Sequence, residues 1–476
     1  MPKTKKKKTI KKVKKVKVIK KVKPEPAINA IKVSKSTPQV LRGFKDILPS
    51  EQKYWDILRA KAEKLATDFG FERIDFPIVE ETSLFIRAVG KETDIVEKEM
   101  FSFTDKGGEN VSLRPEATAQ VARAYINHGM LNLPQPVKLW YFGPMFRYDR
   151  PQSGRYRQFN QFGLEAVGDL HPVLDALVII TSYNFVKELG LKVNVQINSI
   201  GCSTCRKEYK VQLLNYYKTQ RSDLCEDCKN RMAKNPLRLL DCKEEKCQAV
   251  AEDAPQIVDW LCEECKNHFV KVLEFLDDLE IPYNLNSRLV RGLDYYTKTV
   301  FEIWPSSGSG QEKKGEAGAP AEEEKEGKKA QVALGGGGRY DNLIEMLGGR
   351  ATPAVGASIG LERVILKIKE ANIEAPAKRQ VDIFVAQLGE AAKRKAMALY
   401  ETLRQEGFEI AESFSKDGLK SQLEIANKLN VKYALILGQK ELSEGTILLR
   451  DMEGGVQETI NINKVIKELK KRLGKQ

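Results

Sequence analysis

The sequence predicts a multidomain protein that mixes α and β: an antiparallel hairpin near its centre, a cysteine-bearing section after it, and an α/β domain at its C-terminal end. Three observations carry this. Residues 140–168, WYFGPMFRYDRPQSGRYRQFNQFGLEAVG, place two apolar, aromatic-rich runs on either side of a polar turn, the pattern of paired half-buried strands. All eight cysteines fall between Gly201 and Lys266. Beyond residue 381, strand-like runs such as VDIFVAQL, YALILG and TILLRD alternate with helical runs, the order of an α/β domain. A length of 476 residues has room for two or three domains with sizeable cores, and a 42% hydrophobic share is that of an ordinary soluble protein.

Charge is unevenly distributed. The net charge is +14, and residues 1–23 hold thirteen lysines and no acid, which leaves about +1 for everything else. This tail lacks the unbroken apolar core of a signal peptide, because lysines separate its valines and isoleucines. It is expected to be disordered, either as an arm that raises RNA affinity through counterion release or as a solubilising extension. No apolar run is long enough to cross a bilayer, and a cytoplasmic location is expected.

In chain order, residues 24–38 read as a linker. Ser50 is expected to cap a helix in which Tyr54, Ile57, Leu58, Ala62 and Leu65 recur at helical spacing, ending near Gly70. FERIDFPIVE is strand-like but broken by Pro77. Pro115 and Glu116 suit the first turn of a helix that runs to about Asn127, where Glu116 alone would offset the helix dipole. In the hairpin, Trp140, Phe142, Met145 and Phe146 lie in the first run and Phe159, Phe162, Leu164 and Ala166 in the second. Arg147, Arg150, Arg155 and Arg157 crowd the turn. Guanidinium forks match phosphate geometry, so the turn suggests an anionic ligand, with a solvated hairpin tip as the alternative. A helix over 171–189 and a strand over 192–198 follow.

The cysteines form four pairs. Cys202 and Cys205, Cys225 and Cys228, and Cys262 and Cys265 each have two residues between them, and Cys242 and Cys247 are set wider. Two intervening residues is the short chelate spacing of tetrahedral thiolate zinc sites. A disulfide framework fits poorly without a secretory signal, and ordinary thiols are the alternative. The spacing favours one or two structural Zn2+ ions. Residues 306–330, rich in Gly, Glu and Lys, are expected to form a disordered loop. The glycine run 335–338 permits close backbone approach but is weak evidence for a site by itself.

The hairpin resembles motif 2 of class II aminoacyl-tRNA synthetases, and its wording is nearest to the histidyl family. The segment LVRGLDYY at 289–296, GGGGRYD at 335–341, and AVGASIGLERVIL at 354–366, which resembles motif 3, carry the same likeness. The resemblance spans most of the chain from Leu41 onward, omitting the tail, the 306–330 loop and the cysteine set. It implies an α+β catalytic domain with an antiparallel sheet in two parts, 41–199 and 288–370. A helical insertion domain over 200–287 would contact the tRNA acceptor stem, and after a linker at 371–380 an anticodon-binding α/β domain would occupy 381–476.

The resemblance also implies ATP-dependent joining of histidine to its tRNA through histidyl-adenylate, with Mg2+, in a homodimer built on motif 1 around the first helix and strand. By the same likeness Arg147 and Arg291 are the catalytic arginines at the α-phosphate. Phe159 stacks on adenine, Asp149 contacts the nucleotide, and Arg363 reaches the γ-phosphate. Asp149 stands where many bacterial members have glutamate. Glu116, Thr118, Gln161, Glu165, Tyr295, Tyr296 and Tyr340 line the histidine pocket. Familiar family members do not need cysteines in the insertion, so zinc rests on spacing alone. Two rival readings remain: a catalytically inactive paralogue that regulates histidine biosynthesis, which typically lacks the C-terminal module, and an RNA-binding module driven by the tail.

Overall fold

A computed structural model describes residues 37–306, 332–375 and 381–474. The lysine tail, most of the first linker, residues 307–330 of the predicted loop with residue 331 after it, and 376–380 of the second linker lie outside the described residues. Helix α1 (Pro49–Asp68) buries Trp55, Leu58, Ala62, Leu65 and Ala66, with Tyr54 and Ile57 packed at the margin of that face. Its start differs from expectation. Leu48 is the N-cap without a side-chain bond, and Pro49 opens the helix, where its fixed φ fits and its missing N–H is not needed; Ser50 therefore lies inside the first turn.

Strands β1 (Glu72–Arg73) and β2 (Val79–Glu81) flank the break at Pro77. After α2 (Thr82–Val89), β3 (Ser102–Thr104) and β4 (Asn110–Leu113) join β2 in a small antiparallel sheet, ordered β2-β4-β3. Helix α3 (Thr118–Asn127) starts two residues after Glu116. The Glu116 carboxylate accepts from the backbone N–H groups of Thr118 and Ala119 at 2.7 and 2.9 Å, satisfying donors that a helix start leaves free.

The predicted hairpin is β5 (Val137–Phe146) paired with β6 (Gln158–Val167), in register from Val137 opposite Val167 to Phe146 opposite Gln158. Then come α4 (Val173–Lys187) and β7 (Val193–Ser199), and the cysteine section with α5 (Ser203–Thr219), α6 (Glu226–Lys234), α7 (Glu245–Glu252) and α8 (Glu263–Asp278). Strands β8 (Tyr283–Leu285), β9 (Thr297–Pro305) and β10 (Gly335–Arg339) follow, then α9 (Leu343–Met346), β11 (Ala354–Gly360) and α10 (Leu361–Glu370). Strand β8, in the stretch read from sequence as insertion, pairs in parallel with β7.

Eight strands order as β1-β5-β6-β11-β10-β9-β7-β8, antiparallel except at the two edges. Side chains alternate across a strand, so each face has its own character. Trp140, Phe162, Leu164, Phe301, Ile303, Val355 and Ala357 face a core shared with α1, α4, α8 and α10. The opposite face carries Tyr141 and Val300, and its core continues through α3 and Tyr295, Tyr296 and Tyr340 into Tyr209, Leu213 and Leu239 of the cysteine section. Because both faces are covered, Gln161–Val167 are buried throughout, and β6 is not the half-buried strand its alternation suggested.

The C-terminal domain runs β12 (Ile383–Gln387), α11 (Glu390–Gln405), β13 (Ile410–Glu412), α12 (Leu419–Lys428), β14 (Tyr433–Leu437), α13 (Gln439–Glu444), β15 (Thr446–Asp451), β16 (Gln457–Asn461) and α14 (Val465–Leu473). Its sheet orders β13-β12-β14-β15-β16, parallel around β12 and antiparallel beyond β14.

Candidate active site

The polar face of β6 sets the site. Residues 159, 161 and 165 alternate with the apolar Phe162 and Leu164 beneath them. Glu165 is 1% exposed. It accepts hydrogen bonds from the Thr118 hydroxyl at 2.8 Å and the Tyr340 hydroxyl at 2.5 Å. Burial pushes its carboxyl up to about 8, against the pull of these hydroxyls, because a charge removed from water is disfavoured. Across the sheet Glu165 faces Gly356. A Cβ at Gly356 would lie 1.6 Å from the Glu165 carboxylate, and one at Gly163 would lie 2.0 Å from the Tyr141 ring, so both positions require glycine for these groups to lie on the sheet.

Glu116 faces the same pocket. Burial raises its pKa, opposed by the Ala119 and Thr118 bonds, and the Tyr295 hydroxyl sits 3.5 Å away. Tyr295 packs against Tyr296 and Tyr340 with ring centroids 4.7 and 5.6 Å apart. Glu116, Thr118, Glu165, Tyr295, Tyr296 and Tyr340, all singled out from sequence, thus form one buried cluster. Tyr340 is held from behind by its neighbour: fully buried Arg339 donates through Nε to Asp175 at 3.0 Å, and His268 lies 3.3 Å from the same carboxylate.

The arginines lie beside this cluster. Arg147, at the end of β5, donates through Nε to Pro115 O at 2.8 Å, and its guanidinium sits 5.4 Å from the Phe159 ring centroid. Arg291 pairs with Glu302 and lies over Tyr296 at 5.8 Å. Arg363, in the first turn of α10, donates to Ala333 O at 2.8 Å and Gly154 O at 3.3 Å. Its pKa is lowered to about 10 by burial and then by Arg155 and Arg147. Asp149 is turned into the loop: it accepts from the Arg150 N–H at 2.6 Å and pairs with Arg155 at 3.2 Å. Gln161 donates to the Ser358 hydroxyl at 3.2 Å. The Nε atoms of Arg291 and Arg155 and the Gln161 Oε1 are buried without a hydrogen-bond partner among the described residues. Buried polar groups are rarely left so; the two guanidinium Nε atoms are donors and the Gln161 Oε1 is an acceptor.

Three contributors escaped the sequence reading. Glu302 anchors Arg291 and accepts from the Trp304 indole at 3.1 Å; its signal was a lone acid in the apolar run KTVFEIW. Tyr141, buried by the Glu165 carboxyl, has no signal of its own within the aromatic-rich run WYFGPMF. Glu362 clamps the Asn160 backbone and amide at 2.9 Å.

The cysteines gather in two clusters, Cys202, Cys205, Cys262 and Cys265, and Cys225, Cys228, Cys242 and Cys247, with all sulfurs of a cluster within 4.8 Å of one another. Thus the first pair joins the fourth and the second joins the third.

A family model described as histidyl-tRNA synthetase matches residues 43–364, and one described as anticodon binding domain matches 382–472. A histidine–tRNA ligase of Dehalococcoides mccartyi is 46% identical over 433 residues, 91% of this chain and 99% of that protein. One of Natranaerobius thermophilus is 44% identical over 436 residues, again 91% and 99%. The crystal structure of apo histidyl-tRNA synthetase of S. aureus covers 91% of this chain and 100% of its own, at 35% identity and a TM-score of 0.73. A structure from Bacillus halodurans C titled as an ATP phosphoribosyltransferase regulatory subunit/histidyl-tRNA synthetase shares the fold at 19% identity and a TM-score of 0.57, over 84% and 99% of the two chains. On the matched family model and these identities, the chain belongs to the histidyl-tRNA synthetase family.

Proposed function

We propose that the Glu165 cluster is the histidine pocket of an enzyme that charges tRNA with histidine, and that the adjoining arginines hold ATP. As a member of its family the chain is a class II ligase that uses ATP with Mg2+ and histidine as substrates. The observation that carries the site assignment is the fully enclosed Glu165, fixed by Thr118 and Tyr340 among aromatic walls. An imidazole N–H would donate to this carboxylate, and Tyr296 would meet the other side of the ring. The substrate ammonium would meet Glu116 and Thr118, with Gln161 and Tyr295 closing around it. A competitor without the imidazole leaves those buried groups unpaired.

The histidine carboxylate oxygen attacks the α-phosphorus of ATP. The new O–P bond forms as the bond to the β-phosphate bridging oxygen breaks, and pyrophosphate leaves. Negative charge grows on the α-phosphoryl oxygens, where Arg147 and Arg291 supply fixed positive charge in a site shielded from water. Phe159 stacks under the adenine, Asp149 acts at the nucleotide edge through the Arg155 it holds, and Arg363 receives the γ-phosphate. A ribose hydroxyl of the tRNA terminus then attacks the histidyl carbonyl and AMP leaves. Most of the acceleration comes from alignment and preset charge.

The domain reading follows: a catalytic core at 41–199 and 288–370, an insertion at 200–287 placed for the acceptor stem, and residues 381–476 for the anticodon. The first helix and strand are proposed as a homodimer surface, the location as cytoplasmic and the cysteine clusters as structural zinc sites. Four thiols within 4.8 Å suit that ion, because tetrahedral Zn–S bonds set sulfurs about 3.8 Å apart. The test is histidine-dependent exchange of labelled pyrophosphate into ATP without tRNA. Exchange with histidine alone among the amino acids is expected; none from folded protein would overturn the reading.

A further inference from the structure

We infer that the two cysteine clusters are separate zinc sites with different tasks, and that the Cys202, Cys205, Cys262 and Cys265 site positions the histidine-binding segment 295–298. This rests on the pocket assignment above. Both clusters are built alike. Cys202 and Cys262 are the N-caps of α5 and α8, with Cys205 and Cys265 one turn on. Cys225 caps α6, and Cys247 lies in the first turn of α7. Helix N-termini favour thiolates. Backbone N–H groups also point at sulfur: Cys262 N–H to Cys205 Sγ at 3.1 Å and Cys225 N–H to Cys247 Sγ at 3.2 Å. Sulfur separations of 3.5 Å for Cys202 and Cys205 and 3.9 Å for Cys225 and Cys242 bracket the spacing of about 3.8 Å set by a tetrahedral ion.

Their surroundings differ. The first cluster begins where β7 leaves the sheet, beside the start of β9. Ile200 N–H donates to Lys298 O at 2.8 Å, and Lys298 N–H donates to Gly201 O at 2.9 Å. Lys298 is nearly buried and has φ of +48°, a left-handed conformation that a lysine keeps only when its surroundings hold it. The holding groups come from the cluster's own helices. Glu264, between Cys262 and Cys265, takes the Lys298 ammonium at 2.9 Å, and Arg206, next to Cys205, donates to Tyr296 O at 2.9 Å. An ion joining the starts of α5 and α8 would therefore fix the backbone that aims Tyr295 and Tyr296. The second cluster reaches this segment only through side chains: Asn235, at the end of α6, donates to the Asp294 carboxylate beside Tyr295 at 3.0 Å, and Lys234 pairs with Glu97 at 2.8 Å, so neither contact holds the 295–298 backbone.

The test uses the full chain purified without chelator, with zinc measured by mass spectrometry and pyrophosphate exchange by histidine and ATP titration. About two zinc per chain are expected. Cys265→Ser should hold about one and raise the histidine KM about tenfold, with the ATP KM within about twofold. Cys202→His, which keeps a zinc ligand, should hold two and restore the histidine KM. Cys242→Ser should also lose one zinc but move the histidine KM less than Cys265→Ser does. Stepwise removal of zinc from the unaltered protein by a chromogenic chelator covers the case in which the serine variants fold poorly. The histidine KM should rise as zinc leaves, and its constancy down to the metal-free protein overturns the positioning role. Less than about half an equivalent of zinc per chain overturns the metal sites themselves. Failure of the unaltered protein to exchange at all overturns the pocket assignment, separately from either.

Discussion

Replacing Glu165 by glutamine tests the pocket with least change of shape. The carboxylate accepts from two hydroxyls, Thr118 and Tyr340. An amide oxygen can serve one of them while its NH2 only donates, so one buried hydroxyl loses its acceptor at a cost of about 1–3 kcal/mol. Above about pH 8, where the carboxyl is ionised, the bound imidazole also loses a charged acceptor, and hydrogen bonds to charged groups are worth roughly 1.5–3 kcal/mol. That second loss falls on the ligand complex alone, so Glu165→Gln should raise the histidine KM about 10- to 100-fold. Nothing links Glu165 directly to Phe159 or Arg363, so the ATP KM should stay within about threefold of the unaltered protein. The assay is pyrophosphate exchange with each substrate varied in turn. Equal rises in both constants, or no rise in either, would refute the assignment of Glu165 to the imidazole.

The same residue gives a pH signature. Burial lifts its carboxyl from 4.5 to about 8, so between those values the folded protein keeps a proton that the unfolded chain releases, and the Glu165 contribution to stability falls as pH rises. Glu165→Gln should therefore gain denaturation midpoint over the unaltered protein between about pH 5 and about pH 8; a gap independent of pH sinks this account. Glu302→Gln removes the charge that holds Arg291. Charge-assisted bonds are about twice as strong as neutral ones, so exchange kcat should drop about tenfold with the histidine KM little moved; an unchanged kcat counts against the positioning role. Asp175→Asn removes the nearer of the two carboxylates that pair with the buried Arg339, leaving Asp341, and should destabilise the fold by about 1–3 kcal/mol in chemical denaturation. Burial alone would raise the Asp175 pKa, but Arg339 and His268 hold it at about 2. Its contribution is therefore complete above 3.8 and lost only as pH falls toward 2, and an acid transition unaltered in Asp175→Asn speaks against it.

Much of this site was legible because its signals are local. The alternation in residues 158–167 separates Phe162 and Leu164, which meet the helices, from Phe159, Gln161 and Glu165, which meet the pocket, and strand geometry converts that order directly into two faces. The cysteine pairs were equally plain, but their partition was not. Joining the first pair to the fourth requires β7 and β9 to bring the starts of α5 and α8 together, and no spacing rule encodes a sheet register. Gly356 is the same kind of case: its reason is Glu165 on the neighbouring strand. Glu302 was overlooked because a charge within an apolar strand has meaning only once Arg291 is beside it. Strand β16, QETIN, is an edge strand with no buried residue, and a segment that buries nothing leaves no apolar pattern to read.

The fold alone cannot separate a ligase from a regulatory subunit, since a structure titled with both names shares it. The electrostatics of the site separate them better. Arg363 is half-buried, and burial first, then Arg155 and Arg147 nearby, lower its pKa to about 10. Gathering like charges in a place with little water costs free energy unless an anion completes the site. Histidine alone presents one carboxylate, which a single arginine satisfies. On the proposed assignment Arg147, Arg291 and Arg363, with Nε atoms of Arg291 and Arg155 buried without a hydrogen-bond partner among the described residues, would meet several negative charges in a row. A triphosphate supplies that pattern and histidine does not. The presence of residues 382–472, matched to an anticodon binding domain, points the same way.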